Sequence, residues 1–230
     1  MRSHPKKQWK IGTVENCRHH WYLLIWIAYL VLFYIAEHVV TDHYWVSYLP
    51  LDDKIPFCRY FIIPYCMWHP LLFAMTLYLM WYDVPAFKRF MVYIGLGFGG
   101  SILFCLIFPN GQDLRPVVFE RENMFVDAVR VLYRTDTCTN VFPSLHVFNS
   151  LCACIAIHES EKVRTHKAVC ISAYVLAGLI ILATMFLKQH SVLDVIGAAV
   201  MAFVLYQIVY APEKKRVPGY MKRAVLQAVS

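Results

Sequence analysis

The chain has 230 residues, 59% of them hydrophobic and only 16% charged. Apolar runs of the length seen here exceed what a soluble domain of this size buries, so an integral membrane protein is indicated and a water-soluble enzyme excluded. The net charge of +7 reads as membrane anchoring and attraction to anionic headgroups, so nucleic acid is the weaker reading and is not expected as a partner.

In chain order, a basic tail of about residues 1–20 precedes a first apolar run at 22–40. That run starts too far from the N-terminus, and lacks a small-residue cleavage site, for a secretion signal; it predicts a retained helix. At its far end Glu37, His38, Asp42 and His43 form a polar cluster whose spacing matches no strong metal-ligand pattern. It reads as interfacial polarity or, through His38 and Asp42, as a contact to a substrate headgroup. Asp52 and Asp53 follow in a loop, where they either approach the headgroup or are simply solvated. Further spans are predicted at 56–82 and 87–108.

The longest connection, about residues 109–142, is too long for a structureless loop in a compact domain. Within it Met124, Phe125, Ala128, Val129, Leu132 and Tyr133 share one helical face, with Asp127, Arg130 and Arg134 opposite. Two placements are open: an amphipathic helix lying in the membrane interface, or a short helix packed over the bundle. Spans at 143–158, 167–187 and 190–211 complete the set, and a basic tail of about residues 212–230 ends the chain. The expected architecture is all-α, one domain over residues 1–230: a six-transmembrane-helix bundle with an external amphipathic helix between spans three and four. No repeat or linker divides it.

Basic residues orient the bundle. The N-terminal tail carries five (Arg2, Lys6, Lys7, Lys10, Arg18) and the connection after the second span two (Lys88, Arg89). Three more follow the fourth span (Lys162, Arg164, Lys167), and five lie in the C-terminal tail (Lys214, Lys215, Arg216, Lys222, Arg223). These alternate segments share one side and hold most of the 22 Lys and Arg residues, so the positive-inside bias puts both termini in the cytoplasm. The eight cysteines include no C-x-x-C pair, and most fall inside spans as ordinary small apolar residues. Cys138 falls on the outer side, and no spacing supports a bridge from it to Cys58.

That topology gathers the chemistry-bearing residues on the outer face. Arg115-Pro116 lies in the long connection, Pro143-Ser144-Leu145-His146 opens the fourth span, and Lys188-Gln189-His190 leads into the sixth, with Asp194 one turn further. Pro143 suits a first helical turn, whose free amides beside Ser144 make an anion site. Asp194 is four residues from His190 on the same face, where it can orient the imidazole and balance its charge. Arg115 and Lys188 add cations to a place already suited to phosphate.

These segments resemble the type 2 phosphatidic acid phosphatase superfamily, membrane enzymes related in fold to vanadium haloperoxidases. The family's P-S-G-H motif corresponds to Pro143-Ser144-Leu145-His146, its H-x-x-x-D to His190 through Asp194, and its first motif to Arg115-Pro116. Phe108 stands where the family has Lys, Ala183-Thr184 where it has Ser-Arg, and Leu145 where it has Gly. The P-S-L-H form, the stretch Leu51-Asp52-Asp53-Lys54-Ile55-Pro56-Phe57 and the Lys188-Gln189-His190 lead-in are most similar to the subgroup containing inositol phosphorylceramide synthases.

The resemblance implies His190 as nucleophile, Asp194 as its orienting carboxylate, and His146 as acid and then base. Arg115, Ser144 and Lys188 would hold phosphate. It implies a lipid phosphate or phosphodiester as substrate, water or an alcohol as acceptor, and no cofactor or metal. The expected setting is the plasma membrane, with the active site extracytoplasmic. The other class the sequence leaves open is a catalytically silent transporter or lipid-handling protein on the same architecture. Transporters favour inverted repeats and ionisable groups at the midplane, whereas the charged residues here cluster at one rim.

Overall fold

The structure, a computed structural model, describes residues 14–39, 44–119 and 122–212, without the side chains of 14–18. A 3-10 run, Val14–Leu23, leads into α1, Leu24–Val39. Then come β1 (Trp45–Val46), α2 (Ile62–Cys66), α3 (Trp68–Tyr82) and α4 (Val84–Ile107). After β2 (Asn110–Gly111) the chain forms α5 (Met124–Thr135), α6 (Leu145–Glu159), α7 (Glu161–Arg164), α8 (Lys167–Phe186) and α9 (Val192–Val209). Helix starts follow their capping residues. Asp83 accepts from the Ala86 amide at 3.2 Å with a proline in the first turn of α4, and Ser160 caps α7 while donating to Asp83 Oδ2 at 2.7 Å.

Five stretches among the described residues are long and apolar enough to cross a membrane: His19–Val39, Arg59–Tyr82, Val84–Ile107, Lys167–Phe186 and Val192–Val209. The chain is an integral membrane protein. Residues of α1, α8 and α9 such as Leu30, Val175 and Phe203 are accordingly exposed on the outside of the bundle, where lipid replaces water.

The fourth expected span, 143–158, is the one not among these five. Helix α6 has 15 residues, so at 1.5 Å per residue it covers about 22 Å, short of the ~30 Å hydrocarbon core. It packs against α3, α4, α8 and α9 and buries Val147, Phe148, Cys152, Ala153 and Ala156. A helix surrounded by others does not need to match the bilayer by itself. Gly97 of α4 makes the close approach possible: a Cβ there would fall 2.0 Å from the Phe148 ring.

Helix α5 lies across the end of the bundle, against the Arg59–Phe61 turn and α2. Its contact face is rotated from the expected one. Val126 and Val129 are fully buried, while Met124 is 74% exposed and Ala128 is exposed. The reason is the partner surface: Ile62, Tyr65, Ala183 and Leu187 form a small apolar cluster that takes in Val129, with Phe125, Leu132 and Tyr133 at its edge. Glu122 and Arg130 meet through two 2.5 Å contacts on the exposed side. The described cysteines, Cys58 and Cys138 among them, are free thiols.

Candidate active site

The site is built at the turn between α8 and α9. The amides of Gln189 and His190 both donate to the Thr184 carbonyl, at 2.9 and 3.1 Å, which folds the turn back on α8. Lys188 takes a left-handed conformation (φ 54°) to allow it. Ser191 then caps α9 through a capping box in which its own amide donates to Asp194 Oδ2 at 2.9 Å. Asp194, completely buried, also accepts from Ser47 Oγ at 2.5 Å through Oδ1. Its Oδ2 lies 3.4 Å from His190 Nδ1, inside ion-pair reach and longer than a formed hydrogen bond.

A second carboxylate holds the same helix start. Asp52 accepts from Ser191 Oγ (2.6 Å) and the Leu49 amide (2.8 Å) at Oδ2, and from the Val192 amide (2.8 Å) at Oδ1. It is 2% exposed. The expectation that Asp52 meets a headgroup is therefore corrected: both its oxygens are occupied by the α9 N-terminus, where first-turn amides favour a carboxylate. Asp53 behaves differently, remaining exposed and accepting from Tyr48 Oη at 2.5 Å, a bond that raises the Tyr48 pKa.

The second motif is tied to the third through the backbone. Ser144 donates its amide to the Asp194 carbonyl at 3.2 Å and accepts from the Val147 amide at 3.4 Å, capping α6. The next residues, Leu145 and His146, are in the first turn of α6, whose amides have no partner within the helix. The His146 ring lies between Tyr65 and Trp68, with centroids 4.5 and 4.3 Å away, and faces the His190 ring at 5.8 Å. Both histidines line a cleft of about 40 Å³ together with Tyr29, Phe33, Asp136, Thr137, Thr139, Asn140, Leu145 and Gln189.

The three residues expected to hold phosphate stand behind the cleft wall. Ser144 is the α6 cap. Lys188 donates Nζ to the Asp52 carbonyl at 2.6 Å. Arg115 donates to the carbonyls of Tyr133 (3.0 Å), Asp136 (2.7 Å) and Thr137 (2.6 Å) and to Gln189 Oε1 (2.5 Å), with its guanidinium 4.6 Å from the Tyr133 ring centroid. Tyr133 in turn donates to the Leu187 carbonyl at 2.7 Å; burial raises its pKa, so it stays a donor. Arg115 thus fastens the end of α5 to the histidine turn. Because a guanidinium only donates, it fixes Gln189 Oε1 as acceptor and leaves Nε2 beside the cleft, buried and without a partner among the described residues.

Residues that sequence reasoning missed complete the scaffold. Asn110 receives the Asn140 amide on its carbonyl and the Phe142 amide on Oδ1, at 2.8 and 2.7 Å. The parallel pairing of β1 with β2 places the Ser47 amide 2.8 Å from the Gly111 carbonyl. A Cβ at Gly111 would meet the Tyr44 ring at 2.5 Å, so only glycine fits there. Glu37 accepts from Asn140 Nδ2 at 2.9 Å and from Thr137 Oγ1, which ties it to two residues of the cleft rim. His38 is exposed, with Nδ1 2.7 Å from the Tyr34 carbonyl; Asp42 lies outside the described residues.

The family model of the PAP2 superfamily matches residues 90–218, more than half of the chain. The chain belongs to the PAP2 superfamily. Neither the curated proteins nor the solved structures include a match. Membership in the PAP2 superfamily makes phosphatase or phosphotransferase chemistry at a membrane the coarse assignment, and the matched stretch contains both histidines, Asp194 and Arg115.

Asp52 should act on turnover without touching substrate. Asp52→Ala removes the acceptor of the Ser191 hydroxyl and of the Leu49 and Val192 amides, a loss of about 1–3 kcal/mol at each donor left unpaired. The variant should insert with an unchanged helical signal yet lose most of its kcat, measured on detergent-solubilised protein, whereas Asp53→Ala should stay near wild type.

Proposed function

We propose that the chain is an integral membrane lipid phosphatase or phosphotransferase that works through a phosphohistidine at His190. The observation that carries the reading is the facing pair of rings, His146 and His190, 5.8 Å apart in one cleft with a buried carboxylate behind the second. With Asp194 beside Nδ1, the Nδ1–H tautomer is favoured and Nε2 keeps its lone pair for attack. That nitrogen forms the P–N bond as the phosphorus–oxygen bond to the leaving group breaks, and His146 gives the departing oxygen its proton. In the second half, water or an alcohol attacks phosphorus, His146 accepts the proton, and the P–N bond breaks.

Charge redistributing onto the phosphoryl oxygens needs donors that are already in place. The first-turn amides of α6 and Gln189 Nε2 supply them, while Arg115, Ser144 and Lys188 hold those donors in position and contribute charge from behind the cleft. His38, Asp53 and Asp42 belong to the headgroup side in this reading. A lipid phosphate or phosphodiester is the substrate, with an alcohol acceptor competing against water, as the similarity to inositol phosphorylceramide synthases implies. The distribution of Lys and Arg favours cytoplasmic termini and a site on the extracytoplasmic face of the plasma membrane.

Two outcomes test this. Purified protein given a panel of lipid phosphates and phosphodiesters, with and without alcohols, should yield dephosphorylated or headgroup-exchanged lipid by mass spectrometry. His190→Ala should fall to background, and His146→Ala should slow turnover by roughly 10²–10⁴-fold. A His190→Ala protein that keeps wild-type turnover contradicts the mechanism.

For sidedness, Val117→Cys and Glu161→Cys are placed singly in a background without other reactive thiols. Both positions are open, Val117 being 96% exposed and the Glu161 side chain 90%. An impermeant thiol reagent on intact cells should label position 117 and reach 161 only after permeabilisation. The reverse pattern turns the protein over.

A further inference from the structure

The cleft around the two histidines has an unusual charge balance for a phosphate site. None of its described lining residues is a lysine or arginine. Arg115 spends both terminal nitrogens on carbonyls and on Gln189, and Lys188 reaches the Asp52 carbonyl. Among the described lining residues the one carboxylate is Asp136, just past the end of α5, while Glu37 stands behind Thr137 and Asn140 at the rim. Its Oδ2 accepts from Tyr65 Oη at 2.6 Å, which fixes the side chain beside the ring that packs on His146. Oδ1 has no hydrogen-bond partner among the described residues and belongs to a half-buried side chain on the cleft wall. Around it stand Thr137, Thr139, Asn140 and Gln189, all neutral.

A fixed negative charge in a narrow cleft acts against a second one strongly, because little water lies between them. A phosphomonoester carries close to two negative charges at neutral pH and a phosphodiester one. We propose that Asp136, held by Tyr65, is a specificity-determining residue that rejects dianionic phosphomonoesters and admits singly charged phosphodiesters whose headgroup brings a hydrogen-bond donor to Oδ1. The inference rests on the proposed phosphoryl-transfer function and names its substrate class. Polyol and ammonium headgroups share the required donor, so either satisfies Oδ1. Asp136 does not contact the reacting atoms in this account; its effect is on which substrate is bound.

The test compares Asp136→Asn, Asp136→Glu and Tyr65→Phe with wild type on a matched pair of lipids, a phosphodiester and the corresponding phosphomonoester. Asp136→Asn should raise kcat/KM for the monoester about tenfold while lowering it for the diester, so the two move in opposite directions. Asp136→Glu keeps the charge and should restore the wild-type preference; Tyr65→Phe should weaken the preference less than Asp136→Asn. A binding arm reads the same filter without turnover: in thermal shift titrations, orthophosphate should bind Asp136→Asn more tightly than wild type, and dimethyl phosphate should not. Parallel loss on both lipids, or an unchanged preference in Asp136→Asn, overturns the inference while leaving the phosphohistidine reading intact. Background activity of wild type on every lipid, with equal orthophosphate affinity in both proteins, overturns the two together.

Discussion

The N-terminus of α9 is the constraint on which the site depends. Two buried carboxylates, Asp52 and Asp194, converge on four residues, and each would be costly to bury alone. They are tolerated because every oxygen has a donor: the Ser191 and Val192 amides, the hydroxyls of Ser47 and Ser191, and the Leu49 amide. The positive end of the helix adds to this. The arrangement fixes Ser191, and with it the preceding His190, in one geometry relative to the Asp194 carboxylate. Asp194 therefore caps the helix with the same carboxylate that stands 3.4 Å from the imidazole, and in the proposed mechanism the cap and the orientation of the ring cannot be separated.

From that point the constraint spreads through backbone contacts. The Asp194 carbonyl receives the Ser144 amide, so the start of α6 is registered to the start of α9 and His146 faces His190. Ser47 reaches Asp194 because β1 pairs with β2, and β2 also carries Asn110, which anchors the approach to Pro143. Arg115 draws the 133–137 segment onto the histidine turn. Segments distant in sequence thus meet at one end of the bundle, while the short central α6 lies within the surrounding helices. A rigid frame of this kind suits a reaction in which pre-positioned donors carry much of the rate enhancement.

Much of this was legible before any coordinates. Helical spans follow from apolar runs. The four-residue spacing singles out His190 and Asp194, but His190 precedes the Ser191 cap of α9, so the turn and not a shared helical face brings the ring to 3.4 Å from the carboxylate. The short α6 was harder to read: Pro143 and Glu159 bound an apolar stretch, but whether it faces lipid or protein depends on neighbours. Asp52 shows the same limit. In sequence it is one of two adjacent aspartates in a polar loop; only the fold reveals that one caps a helix 139 residues away from its partner Ser191 while the other stays exposed. Arg115 was found by its proline, yet its guanidinium turned out to hold carbonyls and Gln189. Asp136 carried no signal at all, because a carboxylate in a Thr-rich loop gains meaning only from the cleft it lines.

The central claim is that His190 bonds covalently to phosphorus. Wild-type protein mixed with a turned-over lipid phosphate, quenched in alkaline denaturant within milliseconds and digested, can be mapped by mass spectrometry that preserves P–N bonds. The account predicts a phosphoryl or headgroup-phosphoryl adduct on the peptide containing His190, absent from His190→Ala and accumulating when His146 is replaced with a leaving group that needs no protonation. An adduct on a different side chain, or full turnover with no adduct at any quench time, would contradict it.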